Sequence, residues 1–136
     1  MMIAITVSAF ALIGINLNLA FSGAMQQPDW ALALLLASLL ARRLNWMWVL
    51  PGVLLHDIVL YWSFESSLIV MALVPLAMIY LDRHLGAGLP QRILLMLVTV
   101  FSLLQPGWSL MACLLTLCLC VPVWYVLTRI YAQQTA

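Results

Sequence analysis

A chain that folds in water needs a charged shell, and this one carries too little charge to make one. Its cations are five arginines, Arg42, Arg43, Arg83, Arg92 and Arg129, with no lysine, and its acids are Asp29, Asp57, Glu65 and Asp82. Charged residues make up 7% of the chain and hydrophobic residues 67%, whereas a typical soluble domain has about 25% charged residues. The composition therefore predicts an all-α integral membrane protein, nearly all of it in lipid, with the few charges marking the ends of its spans.

The length of 136 residues suits a single transmembrane domain, residues 1–136, and the loops are too short to hold a soluble catalytic domain. A net charge of +1 without basic runs interleaved with aromatics gives no sign of nucleic-acid binding. The N-terminal apolar stretch lacks a charged leader and a small-residue cleavage site, and it is too long for a signal-peptide core, so it reads as a retained span. Cys113, Cys118 and Cys120 all fall in the last apolar stretch. On one helix Cys113 and Cys120 stand ~10 Å apart, beyond disulfide reach, and no histidine lies nearby to complete a metal site. They read as small packing residues.

Polar breaks divide the chain into six apolar stretches: about 2–24, 30–41, 44–62, 68–81, 92–104 and 108–128. The second, fourth and fifth are short against the ~20 residues of a full crossing. Charge favours six crossings over re-entrant pairs. With the N-terminus inside, Arg42, Arg43, Arg83, Arg92 and Arg129 all fall on the cytoplasmic side, while Asp29 and Glu65 fall outside, as the positive-inside rule requires. Both termini are then cytoplasmic. Arg42, Arg43, Arg83 and Arg92 form a cytoplasmic basic face, which serves either as a topology marker or as a contact for anionic lipid or protein. Asp29 after Pro28 predicts an N-cap for the second helix. Pro51, Pro75 and Pro122 fall inside or near spans, where neighbouring groups can satisfy the carbonyls they free. The six tryptophans mostly mark span ends.

His56 and Asp57 are the outliers, because they sit inside the third span. An aspartate near the centre of a membrane helix costs about 2.5–3.5 kcal/mol on insertion scales, so partners are required. Depth along the spans brings Asn16 and Asn18 of the first helix to a similar level, with Thr99 and Ser102 of the fifth in the same outer half. The expected buried polar cluster is Asn16, Asn18, His56 and Asp57. It reads either as a ligand, ion or proton site, or as polar glue for packing or for a partner helix. Adjacent residues on a helix point ~100° apart, so His56 and Asp57 are not expected to face one partner together. No carboxylate pair within a helical turn, HExxH, CxxC or glycine-rich phosphate loop occurs, and no enzyme activity, cofactor or metal is expected. A triad of His56 and Asp57 with Ser63, Ser66 or Ser67 would need the outer loop to fold back over the span. Ala33, Ala37 and Ala41 recur every four residues and form one smooth ridge. The ridge either docks a partner helix or packs on the protein's own third span. Gly14, Ala20, Ser22, Gly23 and Ala24 offer a second small-residue surface.

Pro28-Asp29-Trp30 opening a short helix, Arg42-Arg43-Leu44-Asn45 closing it, and a helix running through Gly52 to Leu55-His56-Asp57 together resemble the MreD family, bacterial rod-shape-determining membrane proteins. Arg129 with the polar tail Gln133-Gln134 is also similar, so the likeness spans roughly residues 26–134. Asp57 matches the lone late aspartate of the family's third helix, and Pro28 the proline that opens its second. The chain departs from the family pattern at Leu60-Tyr61-Trp62-Ser63, where glycines are usual, and in its shorter outer loops. The resemblance implies a six-span, non-enzymatic scaffold of the cell-elongation complex. It implies an MreC-like single-span partner, through which MreB filaments are connected to RodA and its transpeptidase. A distant kinship of that family with the S-components of vitamin transporters supplies the alternative, a small-molecule-binding or transport protein using the polar cluster. A transporter requires a polar cavity open to water among the helices. A scaffold requires a filled core and an apolar groove facing lipid.

Overall fold

A computed structural model describes residues 2–21, 29–61, 66–86, 88–102 and 110–135. Within them lie six α-helices: α1 (Met2–Ala20), α2 (Trp30–Ala41), α3 (Trp46–Tyr61), α4 (Ser66–His84), α5 (Leu89–Ser102) and α6 (Leu110–Thr135). No strand occurs among the described residues. The expected turn at Pro106-Gly107, together with Glu65, Trp62, Trp108 and the small residues 22–24, lies outside them.

The helices are longer or shifted relative to the apolar runs, for local reasons. α4 takes in Ser66 at its start and Asp82-Arg83-His84 at its end. Arg83 and His84 sit in its last turn, where cations complement the helix dipole. Gly86, with φ 83°, supplies the left-handed residue that ends this helix. α5 starts at Leu89, so Pro90 falls in the first turn, where its missing N–H costs nothing. α6 does not stop at Arg129 but runs on to Thr135. Pro51, Pro75 and Pro122 each lie within a helix. By length and hydropathy one described helix suffices to cross a membrane alone, Leu110–Gln133, at a mean hydropathy of 2.3. Ala4–Ala20, α2 and α5 are shorter apolar helices.

α2 is the axis of the bundle. It packs against α1, α3 and α6 and touches α4, and every residue from Ala31 to Leu40 except Leu34 is buried. α4 leans on α3, α5 joins α4 to α6, and leucine, valine and methionine side chains fill the spaces between them. Trp124 is 8% exposed and belongs to this core, whereas Trp46 and Trp48 lie at the surface. Cys113 and Cys120 are buried and free, as packing residues would be, and Cys118 is exposed.

The burial of α2 decides between the two readings of its alanine ridge. Ala33 and Ala37 are wholly inside and Ala41 is half-buried, so this ridge is an internal packing surface and offers no docking face. Gly14 is also internal. A Cβ placed there would collide with the Ala31 backbone, 2.6 Å from its nitrogen and closer still to its Cα. A glycine at this point is what lets α1 and α2 approach so closely, as small residues do where helices meet in lipid. Gly14→Ala should therefore destabilise the fold by about 1–3 kcal/mol, the usual range for overpacking. Gly52→Ala should cost less, because its nearest neighbour is a mobile Leu35 methyl at 3.2 Å. Equilibrium unfolding of both variants in detergent would rank them, and equal costs would contradict the close approach.

Candidate functional site

The two ends of α2 pose the same problem. An α-helix leaves its first N–H groups and its last carbonyls without partners, and a helix buried on all sides has no water to supply them. At its C-terminal end the chain turns sharply. Arg42 is extended, at φ −149° and ψ 114°, and its N–H reaches back to the Ser38 carbonyl at 3.2 Å. Residues Arg43–Asn45 then form one short 3-10 turn. Asn45, fully buried, donates from Nδ2 to the same Ser38 carbonyl at 2.9 Å and to the Tyr131 hydroxyl of α6 at 3.2 Å.

The other end is richer. Asp29 caps α2, its Oδ1 accepting from the Leu32 N–H at 3.1 Å, as the sequence predicts. Its part is larger than a cap. Asn18 of α1 donates from Nδ2 to the same Oδ1 at 2.8 Å, and through its own Oδ1 accepts from the Trp30 N–H at 2.8 Å. Thr116 of α6 accepts from the Asp29 N–H at 3.1 Å and donates to the Ala112 carbonyl of its own helix at 2.7 Å. His56 of α3 meets Asp29 Oδ2 through Nε2 at 2.7 Å and Asp57 Oδ1 through Nδ1 at 2.9 Å. Asn18, Asp29, His56, Asp57 and Thr116 are all buried. The rings of Phe21 and Trp30, 6.2 Å apart, bring the end of α1 against the start of α2.

The chemistry of the trio follows from proton counting. Both imidazole nitrogens face carboxylate oxygens, and each of those hydrogen bonds needs one proton. At least two protons are therefore held among His56, Asp29 and Asp57, wherever each resides. The N-terminus of α2 carries about half a positive charge from its aligned peptides, and the Leu32 N–H and the Asn18 amide point at the same carboxylate. The Asp29 carboxyl group is placed where a buried helix start most favours an acceptor. Among the described residues no group of three or more His, Cys, Asp or Glu side chains is arranged to hold a metal ion.

Three of the four expected cluster members come together: Asn18, His56 and Asp57. Asn16 does not. It is exposed, and its amide bonds the Leu12 carbonyl of its own helix at 2.7 Å. Thr99 is buried, and Ser102 bonds the Thr99 carbonyl at 2.6 Å within α5. The side chains of Ser63, Ser66 and Ser67 lie outside the described residues. His56 and Asp57 do diverge around α3 as helical geometry requires. The ring of His56 then bridges the divergence, taking Asp57 on one nitrogen and Asp29 on the other. Asp29 and Thr116 are the members that sequence reasoning missed. Two signals pointed to them. A helix of 12 residues is only ~18 Å long, shorter than α1, α3 and α6 around it, so its cap is buried among them, and Thr116 is an isolated hydroxyl in an apolar run.

The basic face also gathers at one end, opposite the cluster. Arg42 lies 6.0 Å from the Tyr131 ring centre, and Arg92 lines a cleft with Ala41, Trp124 and Thr128, which joins the ends of α2, α5 and α6. Arg92 also pairs with Asp82 at 3.0 Å. Arg43 and Arg83 are exposed. Compared with family models, curated proteins and solved structures, the chain matches none.

Asp29→Ala strips an acceptor from the Leu32 N–H, the Asn18 amide and His56 together, and it should cost about 3–5 kcal/mol, as breaking one side of a buried ion pair does. Asn16→Ala should stay within about 0.5 kcal/mol. Unfolding in detergent measures both. A mild Asp29 variant beside a harmful Asn16 variant would reverse the assignment.

Proposed function

We propose that this chain is a six-span, multi-pass protein of a bacterial inner membrane with both termini cytoplasmic. We propose further that it works as a non-enzymatic scaffold of the cell-elongation machinery, binding an MreC-like single-span partner and so linking MreB filaments to RodA and its transpeptidase. The topology is supported by the separation of charge: the helix ends that carry Arg42 and Arg92 gather with the C-terminal part of α6 at one end of the bundle, and the Asp29 cluster closes the other. Helices of 12–19 residues can serve as spans when they sit beside longer ones and the bilayer thins or flanking residues snorkel. Function is supported by the MreD-like motifs at Pro28-Asp29-Trp30 and Leu55-His56-Asp57.

The observation that carries the scaffold reading is the filled centre. The position a transporter of S-component type would keep open is occupied by α2, buried from Ala31 to Leu40 but for Leu34. Asn18, Asp29, His56 and Thr116 at its N-terminal end are spent on each other and on the helix end. Apolar grooves face outward instead, one of them lined by Phe10, Leu34, Pro122, Val123, Val126 and Ile130.

Two measurements test this. In a variant with Cys113, Cys118 and Cys120 replaced, a cysteine at Ser66 should react with an impermeant reagent added to intact cells, and one at Leu89 only after permeabilisation. Asn45 is unsuitable as an inside marker because it is buried. Mild-detergent isolation should recover an MreC-like protein, and purified protein in vesicles should accumulate no solute. Labelling at Leu89 from outside would contradict the topology, and solute accumulation by the protein alone would favour the transport reading.

A further inference from the structure

Between α3 and α4, at the end of the bundle that carries the arginines, lies a lateral groove of about 370 Å³. Its floor and walls are apolar: Leu50 from α3, and Ala72, Leu76 and Ile79 from α4. Its rim is not. Arg43 and Trp46 stand at its mouth, both exposed, and no acidic residue lines it.

Arg43 differs from most of the other arginines. Arg92 is held by Asp82, Arg42 lies over Tyr131, and Arg129 lies over Tyr125 at 4.8 Å. Arg43 has no ion pair and no aromatic partner among the described residues, so its guanidinium is available to an external anion. Trp46 beside it, 43% exposed, is the amphipathic side chain that prefers the boundary between headgroups and hydrocarbon. A cation at the boundary above an apolar trough fits an amphiphile with a negative head and a hydrocarbon tail.

The length of the groove selects between a lipid and a partner helix. Ala72, Leu76 and Ile79 follow one face of α4 at spacings of four and three residues, a stripe of ~10 Å at helical rise. A partner helix crossing the membrane presents ~20 residues, or ~30 Å. The trough is one-third of that, and it runs from Arg43 at the arginine end only to the middle of α4, at Ala72. That extent suits a headgroup and the upper part of one chain. Basic pockets between helices on the cytoplasmic side are a recurrent site for anionic headgroups.

We propose that this groove binds one anionic phospholipid, its phosphate on Arg43 and an acyl chain along Leu50, Ala72 and Leu76. The proposal rests on the membrane reading above, so the two need separate tests. Flotation of the protein with liposomes tests membrane residence. Protein that stays in buffer without detergent removes both readings, and protein that floats leaves the lipid site to be decided by binding.

Binding is read by native mass spectrometry of delipidated protein offered phosphatidylglycerol, phosphatidylcholine or glycerol 3-phosphate. Phosphatidylglycerol should bind in preference to phosphatidylcholine, and glycerol 3-phosphate, which lacks the chains, should not compete. Arg43→Gln should weaken phosphatidylglycerol about fivefold or more, consistent with the usual worth of one arginine near an anionic lipid surface. Ala72→Trp, which fills the trough without touching charge, should weaken it as well. Arg83→Gln, an exposed arginine at the same end, should leave it unchanged. Helicity measured by circular dichroism confirms that each variant is folded. Equal binding of both phospholipids, competition by glycerol 3-phosphate, or the same loss at Arg83 as at Arg43 would overturn the site. So would a copurified partner helix that Ala72→Trp displaces without any change in lipid binding.

Discussion

A helix that cannot reach water must find partners for its own ends, and α2 is such a helix. Its 12 residues extend only ~18 Å, and other helices cover it everywhere but at Leu34. An unsatisfied backbone polar group in such a place costs several kcal/mol. Half of the polar side chains buried among the described residues answer this demand. Asn18, Asp29 and Thr116 take up the start of α2, and Asn45 with the Arg42 N–H takes up its end. The helices that supply these groups are those that pack along α2, so satisfying its ends also sets the register of α1, α3 and α6 around it.

His56 and Asp57 extend this logic by one step. Asp29 brings a carboxylate to the helix start, and His56 shares a proton with it from α3. Asp57 holds the far side of the ring and fixes which way it points. A cluster built this way is closed. Its members are oriented toward each other and toward backbone, which suits a rigid scaffold better than a site that must exchange a ligand with water. The outward faces carry the apolar grooves and the exposed Arg43.

How much of this was legible in the residues depended on the type of signal. Charge placement was legible in part: Arg42, Arg83 and Arg92 fall at helix ends, whereas Arg129 lies within α6, which runs on to Thr135. Asn18, His56 and Asp57 were legible by depth alone. Asn16 was misjudged because depth ignores azimuth: two residues along a helix is a rotation of ~200°, which turns Asn16 outward when Asn18 faces in. Asp29 was read as a boundary residue because a Pro-Asp pair looks like a surface cap, and only the shortness of the following helix betrays its depth. The burial of Ala33 and Ala37 was not legible. In water an all-round apolar helix is a core helix, but in lipid every span is apolar all round, so composition no longer separates inside from outside. The close approach at Gly14 depends on which residue of α2 lies opposite, which no local pattern encodes.

Amide hydrogen exchange along α2, with the protein in lipid nanodiscs, tests most directly whether its buried start is sealed by side chains. The Trp30, Leu32 and Ala33 amides, each with an acceptor in the structure, should exchange as slowly as those at the middle of the helix. Asn18→Ala should speed Trp30 and leave the C-terminal turn at Asn45 unchanged. Rapid exchange at Trp30 and Leu32 in the unaltered protein, of the kind seen at a frayed and hydrated helix end, would contradict the claim that this cluster exists to close α2.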